Sequence, residues 1–162
     1  MNTQELLVFE LAGAEFAVSL SLVEEVIPAS QITPIPNSPN FLLGLAAVRG
    51  RAMGVIDAAK RYGIGPAFNA YFLVCQVRGN STAVAIDRPV VAGAVPTRVL
   101  SPEQVAELIK RARIDQKFVK GGYELFEAGA DGAPATSTGV HFLEVDADLF
   151  VSNEMASRLG EN

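Results

Sequence analysis

Residues 41–63 read FLLGLAAVRGRAMGVIDAAKRYG. Two short apolar runs, 42–48 and 52–56, flank the basic and flexible tripeptide Arg49-Gly50-Arg51. Apolar runs of this length, bounded by turn residues, predict paired strands with a tight connection. Gly50 can supply the positive φ of such a turn, and Arg49 and Arg51 keep its tip in water. Asp57 is placed to cap a short helix over 58–62, which Gly63 ends. The stretch holds no nucleophile–base pair and no metal-ligand spacing, so its chemistry is recognition.

Upstream, residues 6–11 form a near-continuous apolar strand broken only by Glu10, and 12–15 make a turn. Residues 16–20 then alternate, with Phe16, Val18 and Leu20 on one face, giving a hairpin. Ser21 and Glu24 have capping-box spacing, which predicts a short helix over 22–26 that Pro28 limits. Pro28, Pro34, Pro36 and Pro39 exclude helix from the next segment. It reads as an extended edge anchored by Ile32 and Ile35, with the prolines protecting that edge.

Downstream, 63–69 contains Gly65 and Pro66 and is the clearest internal boundary. Strands follow at 71–77 and 82–86 around a turn at 78–81, and a third at 90–95 between Pro89 and Pro96. Short strands with frequent turns point to small antiparallel barrels rather than a parallel α/β sheet. Residues 101–113 predict a helix: Ser101 caps it, Pro102 opens it and Gln104 completes a capping box. Val105, Leu108, Ile109 and Ala112 form one apolar stripe, onto which Leu100 can staple. Residues 110–120 carry Lys110, Arg111, Arg113, Lys117 and Lys120 against Asp115 alone, a local balance of +4. Two readings stand for this segment: a solvated face that complements the helix dipole, or a docking patch for an acidic partner. A strand runs from 118 to 126, a mobile hairpin loop from 128 to 139, and a last strand from 140 to 145. Asp146 then caps a closing helix that includes Leu149, Phe150 and Leu159.

The 162 residues allow one domain with a real core, or two very small subdomains. A net charge of −5 argues against general nucleic-acid binding, which needs a basic face. The single Cys75 rules out an intramolecular disulfide and suits a reducing compartment, and its apolar neighbours make it a buried small hydrophobe. No apolar run approaches the roughly 20 residues needed to span a bilayer, and the start lacks a secretory pattern. The expectation is a soluble, cytoplasmic protein without membrane insertion. His141 is the only histidine and sits on a strand, where a structural role is expected. The pair Glu24 and Glu25 suggests acid–base chemistry only until the capping role of Glu24 is considered. Asp146 and Asp148 lack further ligands at calcium-loop spacing. No P-loop and no G-x-S-x-G elbow is present. The expectation is therefore a non-enzyme with no cofactor and no metal.

The order of strand, R-G turn, strand, V-I-D, short helix and Gly over 41–63 resembles the CheW-like domains, the coupling modules of bacterial chemotaxis. Three further stretches are similar to the same family: the opening hairpin, the run VEEVIPASQITPIPNSPNFLLG from Val23, and Phe118-Val119-Lys120-Gly121 leading to the closing strands. The resemblance implies an all-β fold with a few short helices, built as two small five-stranded antiparallel SH3-like barrels. An approximate division is 5–66 and 67–162. It also implies a scaffold whose groove between subdomains accepts the helical cytoplasmic tip of a chemoreceptor. Other surfaces would pair with the regulatory domain of a CheA-type histidine kinase. By motif position, Val23 and Val26 take the apolar places and Glu25 the acidic place of V-x-E-[IV]. Gly44 precedes the central strand, and Arg49-Gly50 form the R-G turn. Glu25 can equally be a solvated carboxylate, and Gly44 a backbone requirement. Arg49 is the strongest candidate, since a turn arginine has no core role and Arg is enriched in hot spots. Arg49 is expected to pair with Glu25 across the short-helix face. Related readings are an adaptor for twitching or gliding motility, or one that binds kinase alone. A β-barrel for a small ligand or nucleic acid is the reading from another class.

Overall fold

The computed structural model describes residues 1–151. Its strands are β1 (Asn2–Leu11), β2 (Ala14–Ser19), β3 (Val23–Pro28), β4 (Leu42–Val48) and β5 (Arg51–Asp57), followed by β6 (Tyr71–Val77), β7 (Asn80–Ile86), β8 (Arg88–Val99), β9 (Val119–Glu127) and β10 (Thr136–Val145). Helix α1 (Ala58–Tyr62) follows β5, and α2 (Pro102–Ala112) lies between β8 and β9. Two five-stranded units result: a closed barrel in the order β1-β2-β10-β9-β8 and a sheet in the order β3-β6-β7-β5-β4. Most pairs are antiparallel, but β10 meets β2 and β5 meets β7 in parallel. The expected mostly-β fold of two SH3-like units stands, with one parallel pair in each.

Strands that are apolar throughout explain how the units share a core. In β1, Leu6 and Val8 point into the barrel with Val95, Leu125 and Phe142, while Leu7, Phe9 and Leu11 point into a central cluster. In β6, Phe72 and Val74 fill the inside of the second sheet, and Leu73, Cys75 and Val77 join the central cluster. A strand buried on both faces loses the polar–apolar alternation. Tyr62 sits at the middle of the shared core, its ring 4.8 Å from that of Phe118 and 5.7 Å from that of Phe150.

The division of strands departs from the expected 5–66 and 67–162. The barrel takes β1 and β2 from the start of the chain and β8 to β10 from the end, and the second sheet is the contiguous block β3 to β7. The chain crosses between units at 20–22 and at Asp87, both too short to read as boundaries. The 63–69 loop instead joins α1 to β6, inside one sheet. Asp87 fastens the second crossing: its carboxylate accepts from the backbone N–H groups of Ala12, Phe68 and Asn69 at 2.8, 2.6 and 3.1 Å.

Several elements differ from expectation. The helix expected over 22–26 is a 3-10 turn at Leu20–Leu22 followed by strand β3. Val23, Val26 and Ile27 favour a strand, and pairing with β6 outweighs a local capping box. β8 runs on through Pro96 to Val99, because it pairs with β9 only from Thr97 onward and its prolines have a free side. The loop expected over 128–139 shortens to 128–135, since Thr136 and Ser137 already pair with Glu127 and Phe126. Asp146 caps a 3-10 turn, Ala147–Phe150, rather than a described helix, and Leu159 lies outside the described residues. The long helix follows expectation. Ser101 and Gln104 form a reciprocal capping box around Pro102, and Arg113 ends the helix in a left-handed conformation.

Candidate functional site

Strands β4 and β5 meet at a two-residue turn, Arg49-Gly50, with φ of 51° and 78°. Positive φ at both positions is the I′ geometry that matches the twist of a hairpin. Arg51 is therefore the first residue of β5, paired with Val48, rather than part of the turn. At the far end of the hairpin, Asp57 accepts from the Lys60 N–H at 3.0 Å and Gly63 closes α1, as the sequence implies.

The turn lies beside β3. Arg49 Nε donates to both carboxylate oxygens of Glu25, at 2.9 and 2.7 Å. The expected pair thus forms, but from a strand rather than a short helix. The ladder between β3 and β6 is irregular between Val23 and Glu25. At this irregularity two adjacent carboxylates reach the same hairpin end: Glu25 to Arg49 in the turn, and Glu24 to Arg51 at the start of β5, at 3.9 Å. Glu24 also accepts from Gln76 Nε2 and Ser81 Oγ, contacts that its expected capping role did not foresee. Since β3 and β4 are the two ends of the strand order in the second sheet, these charges bridge its seam. The Arg49 hydrogen bond holds the Glu25 carboxyl below its usual range, and Glu25 in turn raises the Arg49 guanidinium. The Arg49 side chain is still 76% exposed, so it is anchored at one edge and open on the other.

The remaining candidates divide by burial. Val23 and Val26 are half-buried against the central cluster. Gly44 is buried, with φ of 146°, where the proline-rich segment crosses β4. Thr33 and Leu45 exchange two backbone hydrogen bonds of 2.8 Å there, and a Cβ on Gly44 would lie 2.1 Å from the Thr33 carbonyl oxygen. Gly44 is thus a backbone requirement. The same crossing bears out the edge reading of the prolines: Ile32 packs on the second sheet's cluster and Ile35 on the central one. Gly50 is exposed at the turn tip. Leu45, exposed on the outer face of β4, was not singled out from the sequence, where its place in a continuous apolar run hid its outward direction. Phe68, 89% exposed on the loop that Asp87 pins, was hidden among turn residues.

A cleft of about 950 Å³ opens elsewhere, between the β1–β2 turn, residues 63–65 and the end of α2. Glu15, Arg111, Arg113 and His141 line it, and none of the six candidate residues does. Burial, then Glu10, pushes the Glu15 carboxyl up. Cys75 is buried in the central cluster and its thiol is pushed up to about 12, mainly by burial. Among the described residues no three His, Cys, Asp or Glu side chains gather to hold a metal.

Known proteins resemble this chain in sequence and in fold. A chemotaxis protein CheW of Thermotoga maritima is 32% identical over 117 residues, covering 72% of this chain and 72% of the relative. A probable chemotaxis protein CheW of Rhizobium etli is 32% identical over 87 residues, a match that spans 56% of that relative's length and 52% of this chain. The scaffolding protein TtCheW of Thermoanaerobacter tengcongensis superposes with a TM-score of 0.67 at 23% identity, covering 94% of this chain and 95% of that one. The model of the CheW-like domain matches residues 5–125, a span that takes in the hairpin, its R-G turn, the V-I-D helix cap and strand β3 with Glu25. By its sequence and by its paired five-stranded units, the chain belongs to the CheW-like domain family.

Proposed function

We propose that the chain is a non-catalytic coupling scaffold. It holds the helical cytoplasmic tip of a chemoreceptor and the regulatory domain of a CheA-type histidine kinase in one signalling complex, on the cytoplasmic side of the membrane. Family membership supports the class of function. The observation that carries the site is Arg49: a turn arginine fixed on one side by Glu25 and open to solvent on the other. Such an arginine is pre-organised, so little side-chain entropy is lost when a partner covers it. Val23 and Val26, half-buried on the same strand as Glu25, are the apolar candidates on this edge, and helix-in-groove docking combines such anchors with a polar rim.

Titration of the wild-type chain and Arg49→Ala against a receptor-tip fragment and a kinase regulatory domain tests this, with thermal melts in parallel. Arg49→Ala should weaken at least one complex by roughly 30-fold, the scale of a hot-spot arginine, and leave Tm nearly unchanged. Unaltered binding to both partners removes Arg49 from the site. A collapsed melt reassigns it to structure.

A further inference from the structure

The basic run 110–120 is divided by the structure. Arg111 and Arg113 line the cleft beside Glu15, and Lys117 lies over the Phe118 ring at 5.2 Å. Lys110 and Lys120 instead line a second groove, of about 580 Å³, between α2 and the neighbouring ends of β8 and β9. Val99, Pro102, Val105, Ile109 and Tyr123 give it apolar walls, and among the described residues that line it the two lysines are the only charged ones. Glu103 and Glu107, on the same helix, do not line it.

This groove is open and has unused polar groups. No residue of α2 is buried, and Val99 is 63% exposed at the end of β8. Among the described residues Lys110 forms no ion pair and no side-chain hydrogen bond. Lys120 meets Glu144 at 3.9 Å, too long for a hydrogen bond, and 55% of its side chain is exposed. Gln116, also in the lining, makes no side-chain hydrogen bond among the described residues. The walls are nevertheless held in place. Gly122 lets Val105 pack on bare β9 backbone, since a Cβ there would lie 2.8 Å from Val105 Cγ2, and the capping box fixes the start of α2. A preformed groove costs little to occupy.

Apolar walls with two cations and no anion select apolar side chains accompanied by carboxylates. Pro102 and Lys110 stand about 12 Å apart along the helix axis, so the apolar and acidic groups of the occupant must be spread along its length. The Gln116 amide adds a donor and an acceptor that a peptide backbone can meet and an acyl chain leaves unpaired. We propose that this groove is a docking site for a short acidic and apolar segment of a partner protein. Its carboxylates pair with Lys110 and Lys120, and its apolar side chains cover Val99, Val105 and Ile109. The site lies on the barrel, whereas Arg49 and Glu25 belong to the second sheet, so it is a further surface that does not depend on the Arg49 edge. Helix α2 has 11 residues, about 16 Å of length, which accommodates about five residues of extended peptide, so the contact is small and weak.

Fluorescence anisotropy reads this with a labelled peptide of about eight residues, long enough to overrun the groove, in which Glu alternates with Leu. The full chain is the titrant, and amide chemical shifts locate the contact. The expected result is a Kd between about 10 µM and 1 mM, weakening as salt shortens the screening length to about 3 Å at 1 M. The shifts should concentrate on 99–110 and 116–123. A peptide with Lys in place of Glu should not bind, and one with Ala in place of Leu should bind at least about tenfold more weakly. Lys110→Glu, at an exposed position, should keep its Tm, weaken the Glu peptide at least about tenfold and gain affinity for the Lys peptide. No binding up to about 1 mM, equal binding of both peptides, shifts elsewhere on the chain, or indifference to Lys110→Glu overturns the proposal. So does a groove that takes up oleate or phosphatidylserine vesicles in preference to the peptide, or one covered by a second copy of the chain.

Discussion

Arg49 holds a left-handed backbone conformation, φ 51°, that Asn, Asp and Gly adopt more readily. An arginine in that place gains nothing for the turn itself, and its side chain has no core contact. What it has is Glu25, and the pair makes a prediction about pH. The Arg49 hydrogen bond lowers the folded-state pKa of Glu25. The contribution of the pair is therefore complete above the ordinary carboxylate range and is lost as pH falls through the lowered value. An NMR titration of the Glu25 carboxyl carbon should give a midpoint below the ordinary range in the wild type. In Arg49→Ala the midpoint should move up toward that range, and an unmoved midpoint would show that the pair does not persist in solution. The R-G motif and the acidic residue of V-x-E-[IV] were both legible in the sequence. Their geometry was not, because β3 faces the turn only once it is paired with β6.

At the scale of elements, the central hairpin and its capped helix were readable because each of their signals is local. Asp57, Gly63 and the R-G turn act within a few residues of themselves. Ser21 and Glu24 are local signals too, and they misled, since a capping box cannot compete with the ladder that Val23, Val26 and Ile27 form with β6. Gly44 shows what a tertiary contact adds. The proline-rich crossing passes over β4 so closely that no side chain fits, and the backbone there has φ of 146°. Gly44→Ala should displace Thr33 from Leu45, destabilise the protein by roughly 2–4 kcal/mol through clash and backbone strain, and lower Tm accordingly. A melt indistinguishable from wild type would mean that the crossing does not pack on β4 as described.

For the whole molecule, strand content and the two-unit plan followed from composition, turn spacing and resemblance, while the assignment of strands to units did not. β1 pairs with β8 and β2 with β10, partners separated by most of the chain. Sequence fixes such register through alternation, and strands buried on both faces have little of it. The consequence for function is that both units rest on one central core around Tyr62, so surfaces on either are held in a fixed relation. A coupling protein needs that property if it is to hold two partners at once. Reconstitution of a CheA-type kinase with a receptor fragment, with the rate of kinase autophosphorylation followed as this chain is added, tests coupling most directly. The rate should change only when receptor, kinase and chain are all present, and Arg49→Ala should blunt the change. A rate that ignores the chain in the complete mixture would contradict the proposed role.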